Sequence, residues 1–531
     1  MKPFWKGIAS ICIDFSAWTT THGVPHIGLA KSTVLRVIWS IIFCACVFMF
    51  VYQFITIITK FLSYPVNVDT SLSYGSRVFP TVTICNLNAY KVNAVGSNTA
   101  LANLVTAYQS TNANANYGFT SNPFYDKVIR TVKWMNLFFN DIVSQDETYG
   151  TTYTYDDLFI SCSYNTNTCN GSDFVSYYDP FYGKCYTFNS EGTQTSSRAG
   201  PLYGLSLLLR TNQAQYLPWT VSAGAVFYAY DKDDLPFMYT FGYQASTGMA
   251  SSVGLRYVEK TKLSAPYSTC TDKGSSQPIY YETDTYQLEA CIQSCIQDEI
   301  IATCGCYDPT FGVADDANST CCYTSDLVTT NTNVDCILTI VNADGITGYN
   351  VFDECDCPQA CTASNYEITL STAYWPANAY TPTECIDSES DYIYWTKGNT
   401  NSCTTWYRDN TVYLEIFYEE MSYQVLTESA AYTLLNVISD TGGQVGLWLG
   451  MSVVSLIEIL TLILVLICYC ITRPKDAYLS EFDDNDLMKQ LHEERKAQQA
   501  KDLQQKQKLD AKDLYDESHD MPLPPAVQHA K

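Results

Sequence analysis

Two long apolar runs interrupt an otherwise polar chain of 531 residues. From Val37 to Ile58 no residue is charged, and from Val445 to Ile471 the only charge is Glu458. Each run is long enough for one helical crossing of a bilayer. Between them, short alternating stretches predict strands at Thr81–Ile84, Leu205–Leu209, Gly224–Tyr230 and Thr411–Tyr418. Helical spacing over Asp284–Ile301 sets Cys291 and Cys295 four apart on one face. The pattern predicts a membrane protein: two transmembrane helices plus a large mixed α/β domain with a central sheet.

Flanking charges orient the runs. Lys2, Lys6, Lys31 and Arg36 precede the first, and Arg473 and Lys475 follow the second. An excess of cationic residues on the cytosolic side puts both termini in the cytosol, with the plasma membrane as the expected location. The first thirty residues have no apolar core beside a small-residue cleavage site, so the first run reads as an uncleaved anchor. The expected division is a cytosolic segment 1–36, a first span 37–59, an extracellular domain 60–439, a second span 440–471 and a cytosolic tail 472–531. The tail from Asp476 to Glu517 is charged and Gln-rich, a solvated helix or a disordered segment. Its Met521-Pro-Leu-Pro-Pro end reads as a polyproline ligand or as plain disorder.

Composition sharpens this picture. Of the 55 acidic and 30 basic residues, 40 and 16 fall between Lys60 and Asp440, so that segment holds a net −24 of the chain's −25. Such a surface argues against nucleic acid and suits a cationic partner or permeant ion, although solubility alone would also explain it. Seventeen of the 22 cysteines lie in the same segment, which points to an oxidising compartment and a disulfide framework. Cys304-x-Cys306 and Cys355-x-Cys357 look like metal ligands. Extracellular thiols oxidise, however, and no His lies between Lys60 and Asp440, so no metal or other cofactor is expected. The odd total leaves one thiol over, assigned to the adjacent pair Cys321 and Cys322. Asn170-Gly-Ser and Asn318-Ser-Thr are glycosylation sequons. Nothing suggests an enzyme: there is no Ser–His–Asp set and no metal cluster.

Several motifs, in order along the chain, resemble one family. They are Thr21-His22-Gly23 before the first run and Phe79-Pro-Thr-Val-Thr-Ile-Cys-Asn86 after it. Gly183-Lys-Cys-Tyr-Thr-Phe-Asn189 and Glu289-Ala-Cys291-x3-Cys295 with Cys304-Gly-Cys306 follow. The last is Asp440-Thr-Gly-Gly-Gln-Val-Gly-Leu-Trp-Leu-Gly-Met-Ser452. Together they resemble the degenerin / epithelial sodium channel / acid-sensing channel family, closer to invertebrate peptide-gated or epithelial-like members than to proton-gated ones.

The resemblance implies a homotrimer or heterotrimer, each subunit carrying a palm, β-ball, knuckle, finger and thumb. It implies bridges Cys85–Cys185, Cys162–Cys169, Cys270–Cys361, Cys291–Cys357, Cys295–Cys355, Cys304–Cys336, and Cys306 to Cys321 or Cys322. Cys385–Cys403 would be additional. Gly450-Met451-Ser452 resembles the selectivity filter, where backbone freed from helical geometry can replace ion hydration, although small-residue helix packing would need the same residues. Glu458 lies deep in the second run, where a charge is costly and marks function unless it is snorkelling or paired. Three copies would ring sodium ions. The family often has a second acid at the place of Thr461. Ser439, Asp440 and Gly443 fall at the expected gate, with Gly442 and Gly446 beside them. His22 and Gly23 match a motif folded back under the pore, and Tyr64 and Tyr267 match an aromatic pair coupling thumb to pore.

The implied activity is a voltage-independent, amiloride-sensitive, sodium-selective cation channel in the lipid bilayer. All five His (22, 26, 492, 519 and 529) fall in the cytosolic segments, which favours gating by an extracellular peptide, or constitutive conduction, over proton gating. Proton gating would need coupled carboxylates, with Asp315 and Asp316 as candidates. An ATP-gated trimer would need clustered Lys and Arg for the triphosphate, which this domain lacks. A non-conducting two-pass receptor would fit the composition but would need neither Glu458 nor the Gly-x-Ser break.

Overall fold

The computed structural model describes residues 2–110, 115–119, 124–272, 279–282, 285–313, 319–341, 349–386, 394–396, 399–472 and 493. The chain forms two units, one of Met1–Ser63 with Tyr432–Lys531 and one of Tyr64–Ala431. Asn318, Asp315, Asp316, Arg473, Lys475 and the tail motifs lie outside the described residues.

In the first unit the leading apolar run forms one helix, Thr33–Leu62. At 1.5 Å per residue its 30 residues reach about 45 Å, beyond the roughly 30 Å of a hydrocarbon core. It overruns the expected 37–59 at both ends. No residue in it is buried, as suits a helix apolar on all sides that faces lipid.

The second run is two helices rather than one. Leu434–Leu449 starts six residues before the expected boundary, because the Thr433 hydroxyl caps it by accepting from the Asn436 N–H. The helix ends at Gly450, whose φ of +57° is the left-handed conformation that favours glycine. Gly450 N–H donates to Gly446 O at 3.1 Å. After Met451 and Ser452 the chain resumes as Val453–Thr472. Both Thr33–Leu62 and Val453–Thr472 are long and apolar enough to cross a membrane. The N-terminal segment adds helices Lys2–Trp18 and Val24–Gly28.

The second unit is built on a mixed eight-stranded sheet. Its order is Val66–Tyr74, Ser422–Ala430, Met249–Thr261, Thr411–Tyr418, Leu205–Arg210, Phe159–Tyr164 and Asn167–Thr168, with Thr362–Tyr374 also paired to Met249–Thr261. Met249–Thr261 runs parallel to Thr411–Tyr418 and Ser422–Ala430, and the other pairs are antiparallel. Alternating burial of Leu205, Leu207 and Leu209, and of Val412, Leu414 and Ile416, gives the sheet its apolar face. A five-stranded sheet ordered Tyr243–Ser246, Gly224–Tyr230, Thr81–Asn86, Gly183–Phe188 and Phe174–Asp179 shares the same core, around Phe79, Ile84, Phe188 and Phe227.

Helices Thr99–Gln109, Phe124–Leu137, Leu288–Cys304 and Leu327–Val341 pack a second core around the fully buried Trp134. The expected helix over Asp284–Ile301 is shifted to Leu288–Cys304, ending where Gly305 turns left-handed. Lys133 and Asp308 form a buried ion pair at 2.6 Å within this region, with side chains 7% and 0% exposed.

Among the described residues of this unit, eight disulfides close. Cys291–Cys357 and Cys295–Cys355 leave one face of the Leu288–Cys304 helix, Cys304–Cys336 ties it to Leu327–Val341, and Cys270–Cys361 and Cys306–Cys322 flank them. Cys85–Cys185, Cys162–Cys169 and Cys385–Cys403 complete the set. Of the two partners left open for Cys306, Cys322 takes the bridge, and its neighbour Cys321 is a free thiol. Cys321 lies in an extended bridge with Tyr307, where adjacent side chains face opposite ways. The inward one, Cys322, is fully buried in the helical core.

Candidate functional site at the helix break

The break at Gly450–Ser452 leaves helix-end carbonyls without their usual partners. Three of the groups around it are satisfied. Gly450 N–H takes Gly446 O, Met451 N–H takes Val445 O at 3.5 Å, and His22 N–H reaches Leu449 O at 3.1 Å. Ser452 N–H turns instead to Ser455 Oγ at 3.1 Å. Among the described residues, no donor reaches the carbonyls of Leu447, Trp448, Gly450 and Met451. Carbonyls of this kind can stand in for ion hydration.

The segment Thr19–Gly23 leaves helical geometry and packs against this break. Helix Lys2–Trp18 ends with Thr19 N–H on Phe15 O, and Gly23, at φ +89°, turns the chain into Val24–Gly28. His26 then stacks on Trp39 of the first span at 4.5 Å. The His22 ring lies against Gly450 so closely that a Cβ there would fall 1.9 Å from Nδ1. Glycine is therefore required at 450 both for its φ and for the space beside it.

Glu458 is held by the same segment. Its Oε2 accepts from Thr20 N–H at 2.8 Å, Thr19 Oγ1 at 3.0 Å and Thr20 Oγ1 at 3.1 Å. Thr20 Oγ1 also meets the buried Ser455 Oγ at 2.6 Å, so hydrogen bonds run unbroken from Glu458 through Thr20 and Ser455 to Ser452. No donor among the described residues reaches Glu458 Oε1. A carboxylate at this depth is tolerable only because these donors replace water.

At the other end of Leu434–Leu449, the Asp440 carboxylate accepts from the Tyr432 hydroxyl, and Lys60 Nζ lies 4.5 Å over the Tyr432 ring. Ser439, Gly442 and Gly443 are exposed, and an added Cβ at either glycine meets nothing within 4 Å. In the other unit Tyr64 and Tyr267 meet edge to face at 5.4 Å, Tyr64 with φ +46°. Asn170 is exposed at the start of a short turn, where it accepts from Ser172 N–H.

The sequence model of the amiloride-sensitive sodium channel family matches residues 15–462. The chain belongs to that family. It is 32% identical over 494 residues to the degenerin-like protein asic-2 of Caenorhabditis elegans, spanning 88% of both chains. It is 38% identical over 312 residues to degenerin unc-8 of Caenorhabditis elegans, covering 58% of this chain and 38% of that protein. Degenerin mec-4 of Caenorhabditis briggsae is 36% identical over 332 residues, 62% of this chain and 41% of its own length. The chain thus spans less than half the length of the latter two. This sodium channel family member is a membrane protein with two spanning helices and a disulfide-rich ectodomain, and its family are ion channels, not enzymes.

The matched region of this family member contains the whole cluster of Thr19–Gly23, the break and Glu458. Gly450, Met451, Ser452, Glu458, His22 and Gly23 come together in one place. Ser439, Asp440 and Gly443 lie further up the same helix, and Tyr64 and Tyr267 belong to the other unit. Sequence reading missed Thr19, Thr20 and Ser455. Ser455 was within reach of it, since Ser452, Ser455 and Glu458 recur every three residues. Tyr432 and Lys60 gave no periodic signal.

Proposed function

We propose that this chain is one subunit of a trimeric, sodium-selective, amiloride-sensitive channel of the plasma membrane, with both termini cytosolic. The observation that carries the reading is the pairing of free carbonyls at Gly450–Met451 with a carboxylate, Glu458, held by Thr19 and Thr20. Two spans cannot enclose a pore, so rotational symmetry must supply the other walls. In such a ring Gly450–Ser452 form the filter, three Glu458 carboxylates attract cations, and His22 and Gly23 brace the break from below. Ser439, Asp440 and Gly443 form the gate, where small or exposed side chains permit closure. Tyr64 and Tyr267 carry motion from the ectodomain, and Asn170 and Asn318 carry glycans. An extracellular peptide opens the channel, or it conducts constitutively; the net −24 of the ectodomain suits a basic ligand.

A second reading, modulation by extracellular acid, draws on Asp234. Burial, with Asp231 and Asp233 beside it, pushes its carboxyl up to about 6. Falling pH would protonate it within a physiological range.

Two-electrode recording from cells expressing the chain tests the main reading. Ser439→Phe should give a standing inward sodium current blocked by amiloride, and Glu458→Ala should change its permeation. Absence of current from every variant at confirmed surface abundance would overturn conduction by this chain alone.

A further inference from the structure

A cavity of about 510 Å³ opens in the ectodomain unit beside the Phe174–Asp179 strand, the 235–240 segment and the Leu288–Cys304 helix. Its size falls within the roughly 300–1,000 Å³ of small-ligand sites. The walls are mostly apolar and include nine aromatic side chains, with Phe181 stacked on Tyr239 at 4.0 Å and Phe237 edge-on to Tyr281 at 5.4 Å. Among the described residues no Lys or Arg lines it, although Lys184 Nζ and Lys133 Nζ stand behind the wall, 5.3 Å over the Tyr178 ring and 5.6 Å over the Phe311 ring.

One carboxylate does line it. Asp179 is 6% exposed. Its Oδ1 accepts from Phe181 N–H at 2.9 Å and Tyr182 N–H at 3.0 Å, while among the described residues no donor reaches Oδ2. The Tyr177 hydroxyl, also on the wall, is buried without a partner. A buried carboxylate without a counter-cation is costly. Burial accordingly pushes the Asp179 carboxyl up to about 6, which still leaves it mostly ionised at pH 7.5.

We propose that this cavity binds a small organic ammonium ion with an aromatic body, its ammonium on Asp179 and its ring among the aromatic walls. The faces of these rings attract cations through their quadrupoles. An anion would be repelled, and a neutral aromatic would leave the carboxylate unpaired. A bare metal cation would want six or more oxygen ligands and prefers several carboxylates, whereas Asp179 is the one carboxylate among the described lining residues.

The test uses purified full-length chain in detergent and calorimetric titration with phenethylammonium at pH 7.5. One saturable site per chain is expected, with no binding of 3-phenylpropionate. Asp179→Asn keeps an oxygen for the Phe181 and Tyr182 N–H groups but loses the charge, and should weaken binding at least about ten-fold. Should that variant fail to fold, the wild-type pH profile decides. The hydroxyls of Tyr90, Tyr177, Tyr182 and Tyr281, which face Asp179, are all pushed above their ordinary range and stay neutral. Affinity should therefore fall roughly ten-fold between pH 7.5 and pH 5 as Asp179 takes up its proton. No saturable binding, equal affinity for 3-phenylpropionate, an unchanged Asp179→Asn, or a flat pH profile would each overturn the proposal. Binding is read without current, so its failure leaves the channel reading untouched, and the converse holds.

Discussion

Gly450→Ala probes the helix break most directly, because two separable costs meet at that residue. The first is conformational: at φ +57° a residue with a Cβ costs about 1–2 kcal/mol more than glycine. The second is steric. The added Cβ would stand 1.9 Å from His22 Nδ1 and 2.3 Å from its Cγ, so the imidazole must move away. That movement strains the His22 N–H bond to Leu449 O, worth about 1 kcal/mol. Prior removal of the ring by His22→Ala abolishes the second cost and leaves the first. A double-mutant cycle on sodium current per surface channel should therefore show a coupling of about 1 kcal/mol, a recovery of roughly five-fold. Reversal potentials in mixed sodium and potassium solutions should move back towards wild type in the double variant. A strictly additive cycle would refute the contact between His22 and Gly450.

Three further outcomes are expected. Thr20→Val keeps the N–H bond to Glu458 but deletes the hydroxyl that bridges Glu458 and Ser455; the sodium-to-potassium permeability ratio should shift less than in Glu458→Ala, and an equal shift would show that the N–H bond contributes nothing. Lys133→Met strands the Asp308 carboxylate at 0% exposure, so the purified chain should lose about 3–5 kcal/mol, read as a lower thermal midpoint and reduced surface abundance. Cys322→Ser opens a bridge across 16 residues and should cost about 3 kcal/mol. Cys321→Ser should stay within about 1 kcal/mol; equal losses from the two serine variants would contradict the pairing.

Where local pattern decides structure, the elements were readable from sequence. Gly224–Tyr230 and Thr411–Tyr418 are strands over the expected residues, because alternation or a short apolar run is itself the burial pattern. The break in the second span was only half legible. Gly450 and Ser452 marked a place able to leave helical geometry, but hydropathy runs straight through it, so 440–471 read as one span. The choice between Cys321 and Cys322 was not legible at all, since it depends on which neighbour the Tyr307 bridge turns inward. Thr19 and Thr20 were invisible for a similar reason. Their role is set by a partner more than 400 residues away, and no local periodicity reports on such a partner.

That long-range pairing explains why the break and the N-terminal segment need each other. A helix interrupted at membrane depth exposes polar backbone that lipid cannot solvate, and a carboxylate one and a half turns below adds a larger debt of the same kind. The Thr19–Gly23 segment brings donors and no Asp, Glu, Lys or Arg: one N–H for Leu449 O, and an N–H with two hydroxyls for Glu458. It satisfies one carboxylate oxygen and one carbonyl, while among the described residues no donor reaches Oε1 or the four carbonyls of Leu447, Trp448, Gly450 and Met451. A site with every acceptor filled by protein donors would be stable but would have nothing left to offer a cation. A site with none filled would not hold its shape. Deleting the Thr19–Gly23 segment should thus impair selectivity even though none of its side chains carries negative charge. A deletion that left permeation intact at normal surface abundance would mean that the break is stabilised without it.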